Sequence, residues 1–303
     1  MKTVTRVAKM QELARQLRTG GLTIGFVPTM GYLHDGHLEL VRRARSECDT
    51  VVVSIFVNPT QFNNRDDFEK YPRDVAADTA VLEHAGVDVL FMPEASEVYA
   101  PGASTTVHVG ALGEHLCGPT RPGHFDGMAT VVAALFNMVT PDVAVFGEKD
   151  WQQLQIVRRM VRDLHLAVRI VGVPTLRDAD GLAMSSRNAR LGEKERALAP
   201  VVYRALGAAA DAYHAGEKRS AVLVAKARAV IEESGAFRID YLELVDGEAL
   251  APVETANDGS VMAVAAFLGG VRLIDNVSLA RPHTLEKSSG ADIRMRSEDA
   301  HYA

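Results

Sequence analysis

The chain has 303 residues, 47% of them hydrophobic and 24% charged, with a formal net charge of -6 and a pI near 5.9. That length suits two compact units, each burying its own core, and the balance is that of an ordinary globular protein. Mild acidity excludes a global field that attracts nucleic acid or an anionic membrane, so an anionic ligand needs local positive groups.

Val7, Met10, Leu13, Ala14 and Leu17 recur at helical spacing, and Gly20-Gly21 stops the first helix. Charges scattered through this N-terminus argue against a secretory signal, and no apolar run reaches membrane-spanning length. Cys48 and Cys117 are the two cysteines and sit in no metal-ligand spacing. They fit a reduced, cytoplasmic setting and are expected to be buried rather than reactive.

LTIGFV (22–27) and VVVSIFV (51–57) read as strands buried on both faces, with the helix HLELVRRARSEC between them. The alternation continues through a helix near 75–85, the strand VDVLFM, a helix near 127–139 and the strand VAVF. A helix at 151–164 and the strand AVRIVGV complete it. Such a rhythm predicts a Rossmann-like α/β fold, a parallel sheet with helices on both faces and ligands at the carboxyl ends of its strands. After about residue 175 two Ala-rich helical stretches (193–214 and 219–234) precede DYLELVD and two antiparallel strands turning at Gly269-Gly270. These predict a smaller C-terminal α+β domain. The division expected is 1–175 and 176–282, followed by a polar, aperiodic, flexible tail at 283–303.

Chemistry concentrates in the strand-to-helix loops. PTMGYLHDGH follows the first buried strand, and its His34 and His37 flank Asp35-Gly36 where a helix begins. Glycines that admit close backbone approach, a helix N-terminus and two imidazole donors together make a triphosphate cradle; two histidines alone would be surface residues at a turn. In FGEKDWQQLQIV, Lys149 is placed to neutralise phosphate, while Asp150 is as well suited to capping the helix as to ligand contact. Gln153 is suited to a small polar substrate, whereas Gln152 and Gln155 read as a solvated helix face. GLAMSSRNARL offers Ser185, Ser186 and Arg187 as a phosphate-binding loop able to close over ATP, though SSRN also occurs in ordinary loops and caps. Asn58 and Gln61, neutral amides at a strand's end, suit a hydroxylated substrate with one carboxylate. Asp66, Asp67 and Asp78 are candidate Mg²⁺ neighbours but equally solvated loop charges.

In order, PTMGYLHDGH, SIFVNPTQF, YPR, RPGHFDG, VFGEKDWQQL, GVPTLRDADGLAMSSRN, DYLELVD and RLIDN resemble the pantoate–β-alanine ligase (pantothenate synthetase) family, over about residues 22–277. HxGH alone would mark only the wider nucleotidyltransferase superfamily. The resemblance implies an enzyme that condenses pantoate with β-alanine to pantothenate using ATP, through a pantoyl-adenylate, with release of AMP and pyrophosphate. It implies an ATP site formed by Met30, Gly31, Tyr32, Leu33, His34, Asp35, Gly36 and His37, with His37 the family's assigned proton donor. Gly147, Glu148, Lys149, Asp150, Leu176, Met184, Ser185, Ser186 and Arg187 complete it, and Gln61 and Gln153 contact pantoate. His34, His37, Lys149 and Arg187 are the implied catalytic set; Asn58, Arg121 and His124 lie in matching blocks. The resemblance further implies a homodimer and Mg²⁺, which is expected to be bound mainly through ATP because Ala77 precedes Asp78 where some members of the family carry paired acids. Two alternatives stand beside this reading: a nucleotidyltransferase of the same superfamily that retains the nucleotide on its product, and a catalytically idle nucleotide-binding protein.

Overall fold

A computed structural model of the chain describes residues 1–63 and 65–281; the tail expected at 283–303 lies outside the described residues. The elements in chain order are β1 (Lys2–Val4), α1 (Val7–Thr19), β2 (Ile24–Thr29), α2 (Asp35–Glu47) and β3 (Thr50–Ile55). They continue with α3 (Arg65–Glu69), α4 (Val75–His84), β4 (Val89–Phe91), α5 (Ala95–Val98), α6 (His124–Val139) and β5 (Val143–Gly147). Then come α7 (Trp151–Asp163), β6 (Arg169–Val173), α8 (Glu193–Leu198), α9 (Val201–His214) and α10 (Ser220–Glu233). The antiparallel strands β7 (Phe237–Asp246), β8 (Ser260–Leu268) and β9 (Val271–Ser278) end the fold.

Strands β1 to β6 form one parallel sheet in the order β1-β4-β3-β2-β5-β6. The continuous apolar runs arise because both faces are covered. Val51 and Val53 point to one side, where α2 and α4 supply Leu40, Val41 and Leu82. Phe26 and Val52 face the other side, where α1, α6 and α7 supply Met10, Met128 and Leu154. Side chains alternate across the sheet with a period of two, so a fully buried strand needs apolar residues at every position.

The chain runs from β2 to β3 and β4 on one side, then returns to place β5 on the other side of β2. Loops leaving β2 and β5 therefore part in opposite directions and leave a crevice at their carboxyl ends, where open α/β sheets bind ligands. The HxGH turn follows β2, and the GEKD turn follows β5.

The second sheet, β7-β8-β9, carries α9 and α10 on one face, where Leu206, Leu223, Ile231 and Met262 are buried together. Its other face is not free: Val245, Val261 and Ala263 belong to the same apolar cluster as α6 and α7. The expectation of a separate core for each unit is thus met only in part.

The helical stretch expected over 193–214 is two helices, α8 and α9, divided at Pro200, whose ring cannot continue the preceding helix. The helix expected near 127 starts at His124, just after Gly123 in a left-handed conformation, φ 77°. Strand β1 and helix α5, three and four residues long, were not foreseen.

Candidate active site

The HxGH turn is held by the residues that spell it. His34 is the N-cap of α2, and its Nδ1 accepts the Gly36 N–H at 3.2 Å. His37, one turn in, reaches back so that its Nδ1 accepts the His34 N–H at 3.3 Å. The two imidazoles form a reciprocal capping box, with ring centroids 4.1 Å apart. Because each Nδ1 accepts, a neutral ring carries its proton on Nε2, and both rings are among the residues that line one cavity. Removal from bulk water lowers the His37 pKa from its ordinary 6.5 to about 4, with Asp150 opposing and Lys149 assisting the shift.

Asp78 locks the loop before the histidines. It is 3% exposed, and its two carboxylate oxygens accept the N–H groups of Tyr32 and Leu33, each at 2.7 Å. Tyr32 adopts a left-handed φ of 53°, an uncommon conformation for a residue with a β-carbon. Gly31, at φ 80°, passes so close that a β-carbon there would lie 2.9 Å from Asp78 Oδ2. Asp78 is therefore neither a solvated loop charge nor a free metal ligand; its charge is spent on backbone N–H groups that fix the turn. The sequence offered no local indication of this, since the partners lie 46 and 45 residues away.

One cavity of about 210 Å³ gathers most of the expected residues. Met30, His34, Gly36 and His37 line it from the β2 side; Gly147, Lys149, Asp150 and Gln153 from the β5 side. Leu176 and Met184 to Arg187 line it from the segment after β6, and Gln61, Met128 and Val132 line it as well. Gly31, Tyr32, Leu33, Asp35 and Glu148 do not line it. Leu33 points into the core, Asp35 is exposed at the start of α2, and the Glu148 carboxylate pairs with Arg281 at 2.8 Å. These five shape the segments while their neighbours present the side chains. Asp150 takes the N-cap position of α7 without a side-chain cap bond, and its carboxylate lies 4.0 Å from Lys149 Nζ.

Around Gln61 the amide of Asn58 meets the imidazole of His124 and the guanidinium of Arg121. Asn58 Nδ2 donates to Gln61 Oε1 at 3.1 Å, and Gln61 Nε2 approaches Met30 Sδ at 3.0 Å. His124 Nδ1–H donates to the Gln61 carbonyl at 2.7 Å, leaving Nε2 to accept from Arg121 at 3.0 Å. Burial, with the Arg121 charge, holds His124 at about 4.

A wider chamber of about 540 Å³ opens from the first, sharing Lys149, Asp150, Ser185 and Arg187 with it. Arg187 pairs with Asp67 at 3.2 Å, and Arg190 pairs with the same carboxylate at 3.1 Å. Tyr71, whose hydroxyl is 3.4 Å from Ser186 Oγ, lies beneath the Arg187 guanidinium. Burial and the charges of Arg187 and Arg272 push the Arg121 pKa down, the mark of cations crowded where an anion belongs. Tyr71 opens the YPR block, and Asp67, a candidate Mg²⁺ neighbour or solvated loop charge from sequence, instead pairs with two guanidinium groups.

Gln152 and Gln155, expected on a solvated helix face, are buried at 6% and 5% exposure. Gln152 Nε2 donates to the carbonyls of Leu112 and His115, and its Oε1 accepts the Cys117 N–H at 3.0 Å. An amide with both ends engaged satisfies a loop that passes across α7, which makes burial tolerable. Cys48 and Cys117 are buried free thiols. No helix among the described residues is long and apolar enough to cross a membrane.

Residues 2–278 match the family described as pantoate-beta-alanine ligase. The chain is 51% identical over 281 residues to the pantothenate synthetase of Heliobacterium modesticaldum, covering 91% of this chain and 99% of that protein. It is 49% identical over 290 residues to that of Geobacillus kaustophilus, covering 96% and 97%. Its fold superposes on the crystal structure of pantothenate synthetase from Thermus thermophilus with a TM-score of 0.86 at 47% identity, covering 92% of this chain and 99% of that one. A pantoate-beta-alanine ligase from Francisella tularensis, complexed with beta-gamma ATP and beta-alanine, superposes with a TM-score of 0.77 at 33% identity, over 93% and 98%.

Proposed function

This chain belongs to the pantoate–β-alanine ligase family, and from that premise we propose how its residues carry out the ligation. The protein joins pantoate to β-alanine with ATP as co-substrate. In our reading the pantoate carboxylate, already anionic, attacks the α-phosphorus of ATP and expels pyrophosphate, so no general base is needed. The neutral amine of β-alanine then attacks the acyl carbon of the pantoyl-adenylate and releases AMP. The difficulty of the first step is holding several negative charges together while more charge grows on the leaving group; fixed donors stabilise charge best where it develops.

The observation that carries this reading is the convergence of His34, His37, Lys149 and Arg187 on one cavity that the neutral amides Gln61 and Gln153 also line. Lys149, its side chain 18% exposed, supplies positive charge, and the neutral His37 supplies an Nε2–H donor. Arg187 exchanges Asp67 for phosphate when ATP enters. Gln61 and Gln153, without charge, accept and donate to the hydroxyls and carboxylate of pantoate. Met30, Met128 and Val132 give its apolar carbons a surface.

The site fits Mg²⁺ that enters on the nucleotide. Among the described residues no three side chains of ligand type gather at one point, and Asp78 and Asp67 are engaged by backbone N–H groups and guanidinium. When bound, Mg²⁺ neutralises phosphate charge. We place residues 1–175 as the unit that binds ATP and pantoate, and 176–282 as the unit that closes over them, excluding water from the adenylate. A homodimer in the cytoplasm completes the proposal, and sedimentation of the purified chain tests the dimer.

Pyrophosphate, AMP and pantothenate are to be followed with pantoate, ATP and Mg²⁺, with and without β-alanine. Sustained release of all three only when β-alanine is present is the expected result. ATP binding with no pantothenate, or a product that retains the nucleotide, contradicts the proposal.

A further inference from the structure

Lys149 sits in a three-residue 3-10 turn, Glu148–Asp150, between β5 and α7. So short a turn has strained hydrogen-bond geometry and does not fix its own orientation. The support comes from the other sheet. Asn276, on β9 and 8% exposed, donates one N–H of its Nδ2 to the Glu148 carbonyl and one to the Lys149 carbonyl, both at 2.9 Å. The preceding residue, Asp275, is 4% exposed and grips a different segment: its carboxylate accepts from Arg177 at 2.6 and 2.9 Å. Arg177 lies over the Tyr203 ring at 3.7 Å and donates to the Gly181 carbonyl at 3.1 Å. It also bridges to Ala183, while the Met184 N–H donates to the Leu176 carbonyl at 3.0 Å. Two adjacent residues of one strand thus hold the turn that bears Lys149 and the hairpin that presents Ser185 to Arg187.

We propose that Asn276 is a positioning residue for adenylate formation, acting through Lys149, and that β9 thereby sets the spacing between the Lys149 turn and the Arg187 loop. A donor held to two consecutive carbonyls fixes both position and tilt of the turn, and so where the ammonium stands relative to phosphate. Misplacement of such a group by about 1 Å is enough to slow a reaction by about a hundredfold. This inference rests on the reading of Lys149 as a phosphate-binding group.

The test is a double-mutant cycle read as the rate of pyrophosphate release in a single turnover with pantoate, ATP and Mg²⁺, the fold being checked by circular dichroism. Asn276→Ala should lower that rate about 10-fold to 100-fold while leaving the KM for β-alanine unchanged. In a Lys149→Ala background the same substitution should cost less than about twofold, because residues that act as a unit are not additive. Asn276→Asp, close in shape but without donors toward the two carbonyls, should lose at least as much as the alanine variant and serves if that variant does not fold. An equal fold-loss in both backgrounds means structural cement and overturns the proposal, as does a wild-type rate from folded Asn276→Asp. A wild-type rate from Lys149→Ala alone overturns instead the reading of Lys149.

Discussion

Removal from bulk water lowers the His37 pKa to about 4, so in the absence of nucleotide the imidazole is neutral near pH 7, and in the proposed reading it offers phosphate an N–H donor. In that reading the positive charge comes from Lys149 and Arg187, and His37 supplies direction. Its replacement by alanine should slow pyrophosphate release about a hundredfold, the scale of losing one fixed donor to developing charge, and Lys149→Ala should do at least as much. The pH dependence has a definite sign. Both His37 and His124 have folded pKa values lowered from 6.5 to about 4. Between those values the unfolded chain binds more protons than the folded one, so stability is full above 6.5 and is lost as pH falls toward 4. Thermal unfolding should therefore come at a lower temperature at about pH 5 than at about pH 7, with a smaller difference in His124→Gln; an equal or larger difference in that variant contradicts the assignment. That His34, His37, Lys149, Gln61 and Gln153 line one cavity was legible because each lies in a short motif after a strand end, and Arg187 because the SSRN block matched the family pattern. Asp78 and Gln152 were not, because an acid or amide chosen for backbone partners 46 or 40 residues away leaves no local pattern.

The loop before the HxGH turn, Gly31 to Leu33, is a strained element pinned from outside itself. Asp78 on α4 balances a left-handed Tyr32 and the close passage of Gly31 with two charge-assisted bonds. Asp78→Ala leaves two N–H groups without their acceptor and should cost about 2–4 kcal/mol, with Asp78→Asn, which keeps one acceptor oxygen, losing less; urea denaturation reads both. In the second unit Leu206 of α9 is fully buried among α10 and β8 residues, and Leu206→Ala should cost about 2–5 kcal/mol in the same measurement. Most long elements were legible from periodicity because burial on one or two faces writes itself into the sequence, the exception being 193–214, which Pro200 divides. Strand β1 was missed since three residues hold no period, and its place is set by pairing with β4 across the sheet edge. The start of α6 was missed because Gly123 and Gly127 look like breaks, although the helix runs through the second.

The molecule binds its two sheets through one shared surface. Tyr241, Val245, Val261 and Ala263 of the small sheet pack into the core made by α6 and α7, and Trp151 Nε1–H donates to the Gly247 carbonyl at 2.8 Å. A core spanning both sheets should melt as one unit, so calorimetry should show a single transition whose van't Hoff and calorimetric enthalpies agree; two resolved transitions contradict this. The alternation of strands and helices predicted the parallel sheet, and the change of pattern near 175 predicted the second. How the two meet was not legible, because Ala263 or Val261 reads the same whether it faces its own helices or those of the neighbouring unit. That meeting matters to function, since it brings Ser185, Ser186 and Arg187 across from His37 and Lys149. The most direct test of the chemistry assigned to this arrangement uses pantoate carrying oxygen-18 in its carboxylate, with the products analysed by mass spectrometry. Attack at the α-phosphorus, followed by amine attack on the acyl carbon, predicts labelled oxygen in AMP and in pantothenate, with pyrophosphate unlabelled. Label in orthophosphate together with ADP, or AMP free of label, contradicts the adenylate.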